Sequence, residues 1–440
     1  MGRSALQVDF ILSGGTIITM NESRDVIENA ALVINKGEIV WAGKNEQLPS
    51  HFLASQQIKL KDSVIIPGLV NVHGHWAMTL FRGLLDDCTL EKWLNKIWKV
   101  EAAIISKDSV VLGAQLAMVE MIRSGTTCAA DMYWYYSETT ETAREVGFRI
   151  VNGPSFALIE GFEDYRNTND QIALEYLQKY QDVPLVHTCV QAHSAYTTNP
   201  EILERVARIV HDRDLVFITH ASESKGEMSL VLEKYGKRPI EVLDSFDLLG
   251  PNTLLAHCVH LNDDEIDRLA ETGTAVAHCP SSNLKLSSGI ARVADMIEKG
   301  VTVGIGTDGP ASNNDLDLFH EAQLAALVQK GVTGEPRALP AEKVFAMLTI
   351  DGARAVGLNK IIGSIEVGKR ADLCILDFDA ANLIPCYDYY SHLIYAIAAA
   401  DVRDVMVNGR LLMRNCELLT IDEEEVKHEI KKIAQQIRKV

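Results

Sequence analysis

The chain has 440 residues, 47% of them hydrophobic and 23% charged, and a formal net charge of −18. That length allows a large core. The charge argues against a general nucleic-acid or anionic-membrane binder, although a small, locally steered substrate remains compatible with it. The eight cysteines are scattered, with no Cys-x-x-Cys pair, and the first residues carry no apolar signal core, so the reading is a reduced, cytoplasmic protein. No apolar run is long enough to span a bilayer.

Residues 8–12, 15–19, 30–34 and 39–42 are short apolar or β-branched runs punctuated by Gly14-Gly15, Asn21-Glu22-Ser23 and Lys36-Gly37. They predict a few small strands that need partners. Matching runs recur at 371–376, 402–407 and 410–412. The expectation is a small discontinuous β-sandwich domain formed from both termini, residues 1–66 and 366–420. Residues 421–440 predict one amphipathic helix with Val426, Ile430, Ile433 and Ile437 on its stripe, docked on the body.

Between them, over residues 67–365, a unit recurs: a short apolar strand, a polar residue at its end, then a helical stretch. Runs at 65–72, 126–132, 149–152, 186–192, 215–219, 253–256, 274–277 and 301–307 supply eight strands. Amphipathic stretches at 110–124, 200–212, 263–271 and 291–299 separate several of them. Eight such units predict an α/β fold, a TIM-type (β/α)8 barrel, whose active sites lie at the strand C-termini.

Chemistry-bearing residues fall at those ends. His73-Gly74-His75 closes the first run; alternate strand residues share a face, so both imidazoles can reach one metal. Alone the pair is a weak motif. His220 ends the fifth run and Asp308 follows the eighth, which completes a four-residue metal group: His73, His75, His220 and Asp308. Three imidazoles and a carboxylate suit Zn2+, with iron or manganese compatible. The fourth run carries no lysine to bridge a second ion, which favours one Zn2+ per subunit. Glu223, three residues beyond His220, is the candidate base and proton shuttle; the competing reading is an acid at a helix N-terminus. His257 can hold the attacking water, and Asp308 can take its proton. His187 reads as structural, His260 as a loop residue, and His278 is divided between structural work and supporting the site.

These residues sit in segments that resemble the amidohydrolase superfamily, specifically its mononuclear aminohydrolase branch. The segments run from Pro67-Gly68-Leu69-Val70-Asn71-Val72-His73-Gly74-His75 through Ala256-His257-Cys258-Val259-His260 and His278-Cys279-Pro280-Ser281-Ser282-Asn283 to Gly306-Thr307-Asp308-Gly309-Pro310 and Gly363-Ser364-Ile365-Glu366-Val367-Gly368. The resemblance implies a zinc-dependent hydrolytic deaminase of adenosine-type nucleosides with a modified 5′ end, methylthioadenosine or S-adenosylhomocysteine among them. It implies substrate contacts at Glu101 for the ribose hydroxyls and at His193, with Arg149 a looser match that reads equally as a strand-start arginine. The partner implied is a small purine nucleoside, with a homo-oligomer compatible.

The chain departs from the pattern at Trp76-Ala77 and at His320, and the run Tyr133-Trp134-Tyr135-Tyr136 can either stack on a purine or pack at the rim. Substrate identity therefore stays open. The runner-up is an aminohydrolase or chlorohydrolase acting on a guanine-like base, a pterin or a triazine. A third reading, ranked low, is a non-catalytic scaffold.

Overall fold

A computed structural model describes residues 5–159, 162 and 170–439. Eight parallel strands run in spatial order of sequence: Leu69–Asn71, Thr126–Ala130, Arg149–Asn152, Val186–Ser194, Val216–Ala221, Thr253–His257, Ala275–His278 and Val303–Ile305. The last returns to the first. Val72 N–H donates to the Ile305 carbonyl at 3.1 Å and Asp308 N–H to the His73 carbonyl at 3.0 Å. The fold is thus the expected (β/α)8 barrel with helices outside. The expected helical stretches appear as Lys107–Arg123, Pro200–Arg213, Asp263–Thr272 and Val293–Glu298. Polar residues preceding them set their starts. Asn199 and Asn262 accept from the N–H groups of Ile202 and Glu265 at 2.9 and 2.8 Å.

The first barrel strand differs from its expectation. The run 65–72 is not one strand. Ser63–Pro67 pairs antiparallel with Leu373–Asp377 in a separate sheet, and only Leu69–Asn71 enters the barrel. Gly68 makes the transfer between them: a Cβ there would meet Thr127 Oγ1 at 2.0 Å, so no larger residue lets the two strands approach. Pro67-Gly68 marks the break within the run, but nothing in the run marks which sheet each half joins.

Both termini build the second unit. One sheet orders Glu38–Lys44, Ala30–Asn35, Leu6–Ser13 and Phe52–Lys59; the other carries Thr16–Ile18 and Ser63–Pro67 beside Leu373–Asp377, Val402–Val407 and Arg410–Arg414. Leu12, Ile34 and Ile58 of the first face Ile17, Ile65 and Ile375 of the second across a shared apolar core. The helix Glu423–Ile437 buries Val426 and Ile437, and Ile430, Ile433 and Ile437 join a cluster with Leu90, Trp93 and Ile97. It therefore braces the helix Leu90–Ile104, one face of which walls the cavity described next.

Among the described residues no single helix is long and apolar enough to cross a membrane, although one bent pair passes by length and composition. All eight cysteines are free.

Candidate active site

The C-terminal ends of the barrel strands surround one cavity, whose lining includes His75, His193, His220, Glu223, His257 and Asp308. Backbone geometry delivers several of these groups. Ser222, His257 and Asp308 all adopt left-handed φ, at 54°, 72° and 59°. Such conformations cost about 1–3 kcal/mol each in non-glycine residues and persist where the surroundings impose them. Gly306 lets the eighth strand press against His73: a Cβ there would lie 2.9 Å from the His73 backbone nitrogen.

His73, His75, His220 and Asp308 come together, each with one ligand atom within 4.8 Å of the others. His75 Nε2 lies 3.1 Å and His73 Nε2 3.4 Å from Asp308 Oδ1, and His220 Nε2 lies 3.3 Å from His75 Nε2. The outer atoms are held. His75 Nδ1 donates to the Met132 carbonyl at 2.5 Å and His220 Nδ1 to the His193 carbonyl at 2.6 Å, which leaves both Nε2 lone pairs facing inward. Asp308 Oδ2 accepts from Ser282 Oγ and Ser312 Oγ at 2.6 and 2.7 Å, leaving Oδ1 for the centre. Among the described residues, His73 Nε2 is buried with no hydrogen-bond partner. That orphaned nitrogen, among three imidazoles and one carboxylate, fits a single Zn2+.

Electrostatics agree. Burial holds the His73 imidazole down to about 4. Burial works the same way on His75, but the Asp308 carboxylate outweighs it and lifts that pKa to about 9. A bound cation would take the place of that proton.

Glu223 is buried beside this group, its Oε2 3.9 Å from His257 Nε2. Burial pushes its carboxyl up to about 7, against the pull of His257. Glu227 anchors the turn that presents it: its two carboxylate oxygens accept from the N–H groups of Ser222 and Glu223 at 3.1 and 2.6 Å. A buried acid poised near neutrality is suited to proton transfer at physiological pH. His257 Nδ1 is bonded to Asn283 Oδ1 at 2.8 Å, which turns Nε2 toward the cavity.

Glu101, on the helix Leu90–Ile104, also reaches this cavity. Its Oε1 accepts from the Tyr133 hydroxyl, and burial raises its carboxyl to about 7. His193 lines the wall with Nδ1 bonded to Thr197 Oγ1 at 2.9 Å, and its carbonyl orients His220. Of the aromatic run, Tyr133 and Trp134 line the cavity, and Trp134 stacks on Phe162 with ring centroids 4.3 Å apart. Trp93, Leu94 and Trp98 extend the wall as an apolar face.

Arg149 is not part of this site, which corrects the expectation that it contacts substrate. It begins the third barrel strand, at the end opposite the cavity. There Nε and Nη2 grip Asp372 at 2.7 and 2.9 Å, and Nη1 meets His187 Nε2 at 3.1 Å. The buried fork ties the barrel to the terminal sheets, with His187 beside it. Trp76 likewise points away from the cavity. Its indole donates to the Ala130 carbonyl at 3.1 Å and packs edge-on against Phe148, so the departure at this position fills core rather than reshaping the pocket. His320 lies outside the site, paired with Asp315 at 2.8 Å. Sequence reasoning missed the roles of Ser282, Asn283 and Ser312. The first two sit in the motif following His278, where the only signal was a cluster of hydroxyl and amide side chains.

A (β/α)8 barrel that gathers three imidazoles, a carboxylate and a near-neutral acid at its C-terminal face defines a metal-dependent hydrolase. The chain belongs to the amidohydrolase family, whose model matches residues 64–412. It is 40% identical, over the full length of both chains, to a 5-methylthioadenosine/S-adenosylhomocysteine deaminase of Syntrophobacter fumaroxidans. It is 40% identical to a 5′-deoxyadenosine deaminase of Methanosarcina acetivorans, covering 98% of each. The fold superposes on a zinc-bound adenosine deaminase from Xanthomonas campestris with TM-score 0.96 and 34% identity, covering 99% of this chain and 100% of that one.

Proposed function

We propose that this protein hydrolyses the C6 amino group of adenosine-type nucleosides with a modified 5′ end, releasing ammonia and the inosine-type product. One observation carries the reading. A near-neutral buried acid, Glu223, lines the same cavity as His75, His220 and Asp308 of the metal group, together with a second buried carboxylate, Glu101. Relatives that act on methylthioadenosine, S-adenosylhomocysteine and 5′-deoxyadenosine support the substrate class.

His73, His75, His220 and Asp308 would hold one Zn2+, which supplies Lewis acidity and lowers the pKa of the attacking water. The Asp308 carboxylate, fixed by two serine hydroxyls on Oδ2, is placed to take the proton that water loses. Glu223 delivers a proton to N1 of the ring as the C6–O bond forms. The tetrahedral carbon then collapses: Glu223, now a carboxylate, takes the C6 hydroxyl proton as C6=O forms, the C6–N bond breaks, and the amine leaves as ammonia with the proton held by Asp308. His257 orients the water, Glu101 accepts from the ribose hydroxyls, and His193 contacts the purine. We assign the protein to the cytoplasm, a reducing setting that suits its eight unpaired cysteines.

Zinc-loaded protein is assayed against methylthioadenosine, S-adenosylhomocysteine, 5′-deoxyadenosine, adenosine, adenine, guanine and an amino-triazine. Stoichiometric ammonia with loss of the adenine absorbance from the ribosides is the expected result. Ammonia only from guanine or the triazine would overturn the substrate class in favour of another amino-azine. Failure to bind a transition metal would make the barrel a scaffold.

A further inference from the structure

The motif Pro280-Ser281-Ser282-Asn283 forms the first turn of a short helix, Pro280–Lys285, immediately after the seventh barrel strand. Three successive residues there tie three buried groups. The Ser281 N–H donates to Glu321 Oε2 at 3.1 Å, Ser282 Oγ to Asp308 Oδ2 at 2.6 Å, and Asn283 Oδ1 meets His257 Nδ1 at 2.8 Å. Glu321 in turn accepts from Asn313 Nδ2 at 3.0 Å, which fastens the turn to the loop carrying Asp308.

We infer that Asn283 is a positioning residue that sets the tautomer of His257. With Oδ1 accepting, the proton of the neutral imidazole sits on Nδ1. Nε2 then carries a lone pair toward the cavity and Glu223, so His257 orients the attacking water by accepting its hydrogen bond. With the amide reversed, Nδ2 would donate to Nδ1, the proton would move to Nε2, and His257 would act as a donor to developing negative charge. Asn283 is buried, and among the described residues its Nδ2 has no hydrogen-bond partner, so the contact to His257 is the one its amide makes. The helix thereby couples two parts of the site. The residue before Asn283 aims Asp308, and Asn283 aims His257.

The activity arm of the test rests on the deaminase reading; the spectroscopic arm does not. Asn283→Asp can only accept from Nδ1–H, whereas Asn283→Leu keeps the volume and removes the acceptor. With zinc content verified at one equivalent, Asn283→Leu is expected to lose about tenfold to a hundredfold in kcat with KM little changed. Asn283→Asp should recover most of that loss. Equal damage in the two variants, or none in Asn283→Leu, would overturn the inference. Independently, 15N-histidine NMR of the wild-type protein, with His257 assigned by its disappearance in His257→Gln, should show the Nδ1–H tautomer. An Nε2–H tautomer would overturn the inference even if both variants misfold. Wild-type protein inactive on every nucleoside, yet carrying the Nδ1–H tautomer, would sink the deaminase reading alone.

Discussion

Replacing Glu101 by Gln separates riboside recognition from ring chemistry. Glu101 Oε1 already accepts from Tyr133, so the remaining lone pairs are free for a vicinal diol. Hydrogen bonds to an ionised group contribute about 1.5–3 kcal/mol and neutral ones about 0.5–1.5 kcal/mol. Losing the charge behind two such bonds costs about 2–3 kcal/mol, or roughly 30–150-fold in kcat/KM. Adenine, which has no ribose, should lose almost nothing. Because burial raises Glu101 to about 7, the wild-type KM for ribosides should climb as pH falls through about 7, and Glu101→Gln should lack that limb. Stability supplies a cross-check. The folded-state pKa of about 7 lies above the ordinary 4.5, so between those values the folded chain keeps a proton that the unfolded chain releases. Stability therefore falls as pH rises through this window, by about 3 kcal/mol in all, and is not regained above it. Glu101→Gln should melt higher than wild type at pH 8. The assays are initial rates of ammonia release from riboside and free base across pH 5.5–8.5, with thermal melts alongside (the range is about one and a half pH units either side of neutrality). An equal loss on adenine, or a riboside loss under about threefold, would refute a ribose contact.

Glu223→Gln should bind zinc normally, by metal analysis, yet lose about 10²–10⁴-fold in kcat, because an amide cannot shuttle the proton. Chelation should abolish ammonia release and lower the melting temperature, and added Zn2+ should restore both; a chelated protein with unchanged melting would mean the four ligands do not hold the ion in the folded state. Arg149→Met strands Asp372 in the interior and should cost about 3–5 kcal/mol in denaturant melts, while the folded fraction keeps its kcat. A kcat loss in properly folded Arg149→Met would restore that residue to the substrate site.

What the chain determined locally was legible without coordinates. His220 lies in the fifth barrel strand, and His73, His75 and Asp308 closely follow the first and eighth, so the recurrence of the βα unit, a short-range property, marked all four. Glu223 was legible for the same reason, three residues from a ligand on one continuous segment. Tertiary structure alone decided where a residue's partner comes from another part of the chain. Arg149 and Asp372 are separated by 223 positions, so nothing near Arg149 marks it as half of a buried fork. Both halves of the run 65–72 are buried, yet they pair with different sheets, Ser63–Pro67 with Leu373–Asp377 and Leu69–Asn71 with Thr126–Ala130, partners far from the run in sequence. Trp76 and Asn283 are similar cases. Which way an indole or an amide faces depends on packing against Phe148 or His257, and those contacts exist only once the barrel has closed.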